Sequence, residues 1–395
     1  MADRGITGRV AVVGAGCTRF GERRDAGADD LLIAAAHEAA ASAGIDLADV
    51  DAFWLGTFGS GHAGTALSKP LKLDNKPVTR VENFCATGAD AFRNACYAVA
   101  AGAYDVVMAI GVEKVMDSGQ AGIPFFEFFD DGTAVPHTPP GTFGYLATGY
   151  ARRHGVADAD LRAAMTHVAW KNHRNGALNP RAYFQREIPK EVIDRQPLLA
   201  GKLSLLDCGG LADGAAAVVI TRTEDARRYT GKPVLVKALA LAAGPGTGAM
   251  DPGHDFSSFP EAVAAARSAY AQAGIGDPRA ELSFAEVHDC FTITEIVLME
   301  DLGFSARGTA WKDMVGGVFD RDGALPVNPD GGLKAFGHPL GASGIRMIFE
   351  SWLQLRGEAG ERQIDNGRRL ALTQNIGGDP GECVCLITIL EGPSQ

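Results

Sequence analysis

The sequence predicts a layered α/β fold made of two similar halves, with a different kind of segment inserted between them. Short β-branched and apolar runs alternate with Ala-rich stretches of helical composition, the pattern of a sheet covered by helices. Residues 33–45 (IAAAHEAAASAGI) echo residues 263–275 (VAAARSAYAQAGI) with 8 of 13 positions identical, and each copy follows a strand-like run. The 395 residues include 50 glycines against 19 prolines, a balance that favours close backbone contact and many tight turns.

Taken in order, residues 10–13 (VAVV) read as a first strand, and 28–43 as a helix stopped by Gly44. The Gly14-Ala15-Gly16 that follows reads as a turn rather than a dinucleotide fingerprint, because position 19 is Arg where a third Gly belongs. Residues 51–56 form another strand, 78–81 a third, 86–101 a helix, and 105–110 (DVVMAI) a strand suited to a buried parallel sheet. Residues 119–149 change character, being rich in Gly, Pro and Phe, with Phe125, Phe126, Phe128 and Phe129 close together. Residues 151–202 carry 10 Lys/Arg against 5 Asp/Glu. Two readings stand for that stretch, a solvated surface insertion or a loop domain that receives a polyanionic substrate. The second half begins with a strand at 233–236 and the echoed helix. It continues with a strand at 282–287, a helix at 293–302 and an amphipathic run at 345–355. It closes with strand, glycine turn and returning strand over 370–387. The expected units are 1–115 with 205–229, the insertion 116–204, and 230–395.

Composition narrows the function. With 46% hydrophobic residues the chain is not a disordered one, and a net charge of −11 argues against nucleic acid as a partner. No stretch of about 18 apolar residues suggests a membrane span. The first residues lack a secretory layout and the last four are no peroxisomal address, so the expected setting is the cytoplasm. Seven cysteines, at 17, 85, 96, 208, 290, 383 and 385, form an odd and scattered set without a Cys-x-x-Cys pair. Free thiols in a reducing compartment follow. No His-Glu-x-x-His and no Cys/His spacing of a zinc site occurs, so no metal is expected.

The chemistry-bearing residues cluster at strand-to-helix turns. Cys85, in Asn83-Phe84-Cys85-Ala86-Thr87-Gly88, sits between a strand and a helix N-terminus, where free N–H groups favour a thiolate and lower its pKa from about 8.5. Alone it would read first as a buried structural cysteine. Small residues at 86, 88 and 89 leave room for a substrate above the sulfur and tilt the balance. A cysteine nucleophile needs a base. His338, in Gly337-His338-Pro339-Leu340-Gly341, and His288, in Val287-His288-Asp289-Cys290-Phe291, occupy matching turns. At the strand ends of an open α/β sheet such side chains converge. His37, His154, His167 and His173 fit surface or packing positions. Cys383 and Cys385 alternate on one strand face and fit burial. Ser343 lacks the Gly-x-Ser-x-Gly frame of a serine nucleophile. The N–H groups of Gly377 and Gly378 can approach a developing oxyanion.

These residues resemble the thiolase superfamily over nearly the whole chain. The segments that carry the resemblance are Val13-Gly14-Ala15-Gly16 through Phe20-Gly21, Asn83 to Gly88, Asp213-Gly214-Ala215-Ala216-Ala217, and Gly337-His338-Pro339. His288-Asp289-Cys290-Phe291 is similar to the sterol-carrier-protein-type, lipid-transfer-protein-like branch. Most thiolases carry Asn-Glu-Ala-Phe there and a Cys-x-Gly near the C-terminus, where this chain has Asn375. The resemblance implies two βαβαβαββ halves in a five-layered α-β-α-β-α arrangement with a loop-domain insertion. It implies a CoA-dependent acyltransferase that cleaves a 3-oxoacyl-CoA to acyl-CoA plus acetyl-CoA or propionyl-CoA, or runs the reverse condensation. Cys85 would carry the acyl group, His338 would take its proton, and Cys290 would act as acid or base on the α-carbon. His288 and His338 would hold the enolate oxygen, and the N–H groups of Cys85 and Gly377 would form a second oxyanion hole. Coenzyme A and acyl-CoA are then substrates, no cofactor is held permanently, and the 151–202 segment receives the CoA. Expected partners are a second copy, as homodimer or dimer of dimers, and a small OB-fold acyl-CoA-binding protein. The Phe-rich segment near 125–129 would line an acyl pocket, meet that partner, or pack at the dimer interface. The competing readings are a CoA-thioester aldolase or lyase of steroid side-chain type, and a non-catalytic acyl-CoA-binding subunit.

Overall fold

The computed structural model describes residues 5–117, 138–248 and 251–393. The eleven strands are β1 (Val10–Cys17), β2 (Ala52–Gly56), β3 (Val78–Val81), β4 (Val106–Glu113), β5 (Leu198–Ala200), β6 (Leu203–Ser204), β7 (Gly214–Arg222), β8 (Val234–Ala243), β9 (Leu282–Glu286), β10 (Leu370–Gly377) and β11 (Val384–Glu391). Nine of them share one sheet in the order β3-β2-β4-β7-β1-β8-β11-β10-β9, while β5 and β6 pair separately.

The sheet is mirrored about its centre. Outward from β1 run an antiparallel β7, an antiparallel β4, and parallel β2 and β3. Outward from β8 run an antiparallel β11, an antiparallel β10 and a parallel β9. Within the sheet the two halves pair where Ala11 and Val12 meet Leu235 and Val234. A mate for β3 is reduced, among the described residues, to one parallel bridge between Ala285 and Val327.

Three large apolar cores lie between the layers, beside a small one at Ala86, Ala89 and Leu386. Leu31, Leu32, Ala35 and Ala39 of the Ala28–Ala43 helix cover one face of the first half through Val13, Phe53, Met108 and Val219. Ala262, Ala265 and Ala269 of the Pro260–Ala273 helix cover the second half. Between the halves, Phe92, Ala95 and Val99 of the Thr87–Ala100 helix meet Ile345, Ile348 and Trp352 of the Leu340–Arg356 helix. The echoed segments are thus the two outer helices, each ended by a left-handed glycine, Gly44 or Gly274. The fold is α/β, a mixed sheet covered by helices.

Two expectations are corrected. Gly14 and Gly16 make no turn but lie inside β1, next to a register shift between Val12 and Gly14. Their reason is close packing, since a Cβ at Gly14 would stand 2.4 Å from the Ala39 carbonyl and one at Gly16 2.5 Å from that of Ala35. The basic stretch is a solvated surface insertion only in part, since Arg152, Arg153, Arg174, Arg186 and Arg195 are exposed while others are held. The Asp158–Gly176 helix buries Met165, Val168, Lys171 and Asn172, with Lys171 Nζ 2.9 Å from the Glu295 carboxylate. Arg162, Arg181 and Lys202 also hold carboxylates, of Asp207, Glu38 and Asp158. The Phe-rich segment 125–129 lies outside the described residues. No described helix is long and apolar enough to cross a membrane.

Candidate active site

Three turns and one hairpin place the site. After β3 the chain turns through residues 82–86 into the Thr87–Ala100 helix. Phe84 takes a left-handed backbone conformation (φ 48°), a strained choice for a bulky residue. The turn is pinned where Asn83 N–H donates to Thr87 Oγ1 (2.8 Å) and its amide donates to Asp90 (2.6 Å). Cys85 follows, half-buried. After β9 come buried His288 and half-buried Cys290, just before the Thr292–Asp301 helix. His338 lies just ahead of the Leu340–Arg356 helix, and Gly377 ends β10. Segment 208–211 stitches two of these turns together, because Gly209 N–H donates to Cys290 O and His338 N–H to Gly210 O, both at 2.7 Å.

Glycines let the turns converge. A Cβ at Gly88 would lie 2.5 Å from the Gly341 carbonyl, and one at Gly111 2.0 Å from the same oxygen. The N-termini of the two central helices therefore touch backbone to backbone. A buried carboxylate secures the contact. Glu113, at the end of β4, accepts from Phe58 N–H (2.9 Å), Gly59 N–H (2.9 Å), the Ser60 hydroxyl (2.9 Å) and Gly341 N–H (3.1 Å). Asp289 does the same on the other side, accepting from Leu333 N–H (2.6 Å), Lys334 N–H (3.1 Å) and the Asn172 amide (2.7 Å). It ties the turn bearing His288 and Cys290 to the approach to His338.

The Cys85 sulfur and one ring nitrogen from each of His288 and His338 lie within 4.8 Å of one another. The two imidazoles meet edge to face, 5.3 Å between centroids. They open into a cavity of about 570 Å³ that Cys85, Cys208, Cys290, Phe84, Phe143, Phe291, Leu199, Leu205 and Asp379 help to line. His338 Nδ1 is 2.7 Å from Ser343 Oγ, whose own proton goes to the Pro339 carbonyl (2.9 Å). Nδ1 must then be the donor, which leaves a lone pair on Nε2. That Nε2 is buried and without a hydrogen-bond partner. His288 is held differently, with its Nδ1 3.4 Å from the Asn375 amide nitrogen. Receiving a proton there puts the hydrogen of His288 on Nε2. The two rings are thus held in opposite tautomers.

Burial dominates the electrostatics. It pushes the Cys85 thiol up to about 12, and the negative charges of Asp379, Glu113 and Glu82 add to the effect. This overturns the expectation of a thiolate lowered by the helix N-terminus, because desolvation of the sulfur penalises its charged form. Burial also raises Cys290 well above the ordinary range. His338 falls to about 3, through burial and then the charge of Arg346. His288 falls as well, through burial, His338 and Arg346. The resting site therefore holds neutral thiols and neutral imidazoles.

Arg346, wholly buried on the Leu340–Arg356 helix, bonds Glu286 at 2.5 Å and also Asp330. Ser343, Asn375, Asp289, Glu113 and Arg346 are the parts that sequence reasoning left without a role. In the sequence Ser343 reads only against a nucleophile frame, and Asn375 only as the residue in place of a cysteine. The local signal for Ser343 was its place in the first turn of the helix that follows His338. Of the histidines set aside, His37 is exposed, while His167 is buried against Asp320 (2.9 Å). Cys383 and Cys385 are buried.

Residues 10–224 match the thiolase N-terminal domain and residues 247–388 the thiolase C-terminal domain-like family. An acetyl-CoA acetyltransferase of Methanothermobacter thermautotrophicus is 39% identical over 94% of this chain and 97% of that protein. Human sterol carrier protein 2 is 30% identical over 93% of this chain and 70% of that protein. A solved structure described as "Ltp2-ChsH2(DUF35) aldolase" superposes with a TM-score of 0.81 at 24% identity, covering 97% of this chain and 98% of that one, which speaks for the fold. The chain belongs to the thiolase family and is an acyltransferase of that type.

Proposed function

We propose that the chain cleaves a 3-oxoacyl-CoA to acyl-CoA plus acetyl-CoA or propionyl-CoA, or runs the reverse condensation, through an acyl group carried on Cys85. The observation behind this reading is the convergence of Cys85, His288 and His338 within 4.8 Å in an apolar cavity that Cys290 also lines. His338 Nε2 has the lone pair for the Cys85 proton. A base at about 3 does not ionise a thiol at about 12 in the resting site. Proton transfer is therefore coupled to attack, as charge passes from sulfur to the 3-oxo oxygen. Sulfur adds to the acyl carbonyl, the tetrahedral oxyanion takes N–H bonds from Cys85 and Gly377, and the C–C bond to the α-carbon breaks. The electron pair of that bond becomes the enolate of the departing acyl-CoA, whose oxygen His288 Nε2–H and protonated His338 hold. Cys290 gives the α-carbon its proton. The CoA thiol then gives its proton to the Cys290 thiolate and attacks the acyl-enzyme, and the C–S bond to Cys85 breaks as Cys85 recovers its proton from His338, releasing the second acyl-CoA.

Support for the two-half division at 1–115 with 205–229 and 230–395, around the insertion 116–204, comes from the mirrored strand order. In the same reading the 151–202 segment meets the CoA, a second copy and a small OB-fold acyl-CoA-binding protein are the partners, and the setting is cytoplasmic. Incubation with a 3-oxoacyl-CoA and mass spectrometry of the intact chain tests the central step. An acyl adduct on Cys85, lost in Cys85→Ala together with CoA-dependent thiolysis, is expected. Full turnover by Cys85→Ala without an adduct would move the chain to the aldolase reading.

A further inference from the structure

The linear spacing of Cys and His shows no zinc pattern, yet folding assembles one. A thiol sulfur and two imidazole nitrogens lie within 4.8 Å of one another, on Cys85, His288 and His338. One soft sulfur and two borderline nitrogens suit Zn²⁺, which takes such ligands at about 2.0–2.3 Å in a tetrahedral array. Ligands at that radius stand roughly 3.4–3.8 Å apart, so contraction of the cluster by about 1 Å closes the site.

Two further observations favour a ligand at this point. His338 Nε2 is buried without a partner, and His338 lines the cavity, while its Nδ1–H is tied to Ser343. That is the arrangement that fixes the tautomer of a metal-bound imidazole. Asn375 has a partnerless, buried Oδ1 beside the amide nitrogen that faces His288. A half-turn of the amide sets Oδ1 against an Nδ1–H and frees His288 Nε2 as a ligand. Three protein ligands leave the fourth position facing the cavity, the open form of a zinc site.

We propose that Cys85, His288 and His338 form a reversible Zn²⁺ site that holds the nucleophile inert and competes with acyl-CoA. The ion displaces the thiol proton to solvent, the zinc–sulfur bond forms, and nothing is oxidised or reduced. A chelator reverses the step. The site stands whether or not the acyl-transfer reading holds.

The test uses the full chain, with zinc chloride and, as a spectroscopic probe, cobalt chloride. Native mass spectrometry is expected to find one zinc per wild-type chain and none at equal concentration in Cys85→Ser. Cobalt is expected to give a thiolate charge-transfer band in wild type and in Cys208→Ser, absent in Cys85→Ser. Zinc should slow alkylation of Cys85 at least tenfold, with EDTA restoring the rate. Equal zinc binding by wild type and Cys85→Ser, or unchanged alkylation at one bound zinc per chain, would overturn the proposal. A wild-type chain that binds none does so too.

Discussion

Ser343 gives up its hydroxyl proton to the Pro339 carbonyl and so can only accept from His338, which fixes where the imidazole keeps its lone pair. Replacing Ser343 with Ala leaves a buried Nδ1–H unpaired, at a cost of about 1–3 kcal/mol, and frees the ring to take the other tautomer. A kcat lower by roughly 10–100-fold is expected, with little change in KM, because a correctly held base is worth about 10²–10⁴ and the tautomer is only partly lost. Steady-state kinetics checks this, and rescue by Ser343→Thr separates tautomer control from simple packing. Asp379 acts on the sulfur through its charge. Its carboxylate holds the Cys85 thiol up alongside burial. In Asp379→Asn the thiolate gains relative stability, the pKa falls, and iodoacetamide labels Cys85 faster at neutral pH. The pH profile of labelling should shift to lower pH; an unmoved profile would contradict the charge effect.

At the scale of elements, the decisive contact is between the first turns of the Thr87–Ala100 and Leu340–Arg356 helices. Gly88→Ala places a methyl 2.5 Å from the Gly341 carbonyl, backbone that cannot swing aside. A loss of about 1–3 kcal/mol in a urea melt is expected, together with reduced activity, since both turns carry site residues. Gly231→Ala, which meets nothing within 4 Å, serves as the neutral control. These helices were legible in the sequence, because Cys85, His288 and His338 each stand just before a run of helical composition. Their supports were not. Lys171 reads as one more cation in a basic stretch, and only the fold reveals its buried partner Glu295, distant in sequence. Gly14 and Gly16 likewise look like turn residues until the outer helix is laid against β1. Local spacing reports local structure, whereas close packing and buried ion pairs belong to segments that meet only after folding.

For the molecule as a whole, buried carboxylates set the response to pH. Burial, with Glu300 nearby, raises Asp301 to about 7 despite bonds from Phe259 N–H and Arg307. An unfolded Asp titrates near 3.9, so between about 4 and 7 the folded chain binds the extra proton. Its contribution to stability is complete below about 4 and is lost as pH rises through 7. Denaturant melts across that window should show the decline, and Asp301→Asn should flatten it. The mirrored sheet has a consequence for synthesis. Strand β7 is the piece that joins β4 to β1, yet the whole insertion is translated before it. Roughly a hundred residues separate them, which at about 5–20 residues per second leaves two naked strand edges waiting on the order of 5–20 s. The nascent chain is therefore expected to need holding by a chaperone at the ribosome. Release of a chain stopped at residue 204 should yield aggregate where the full-length chain stays soluble.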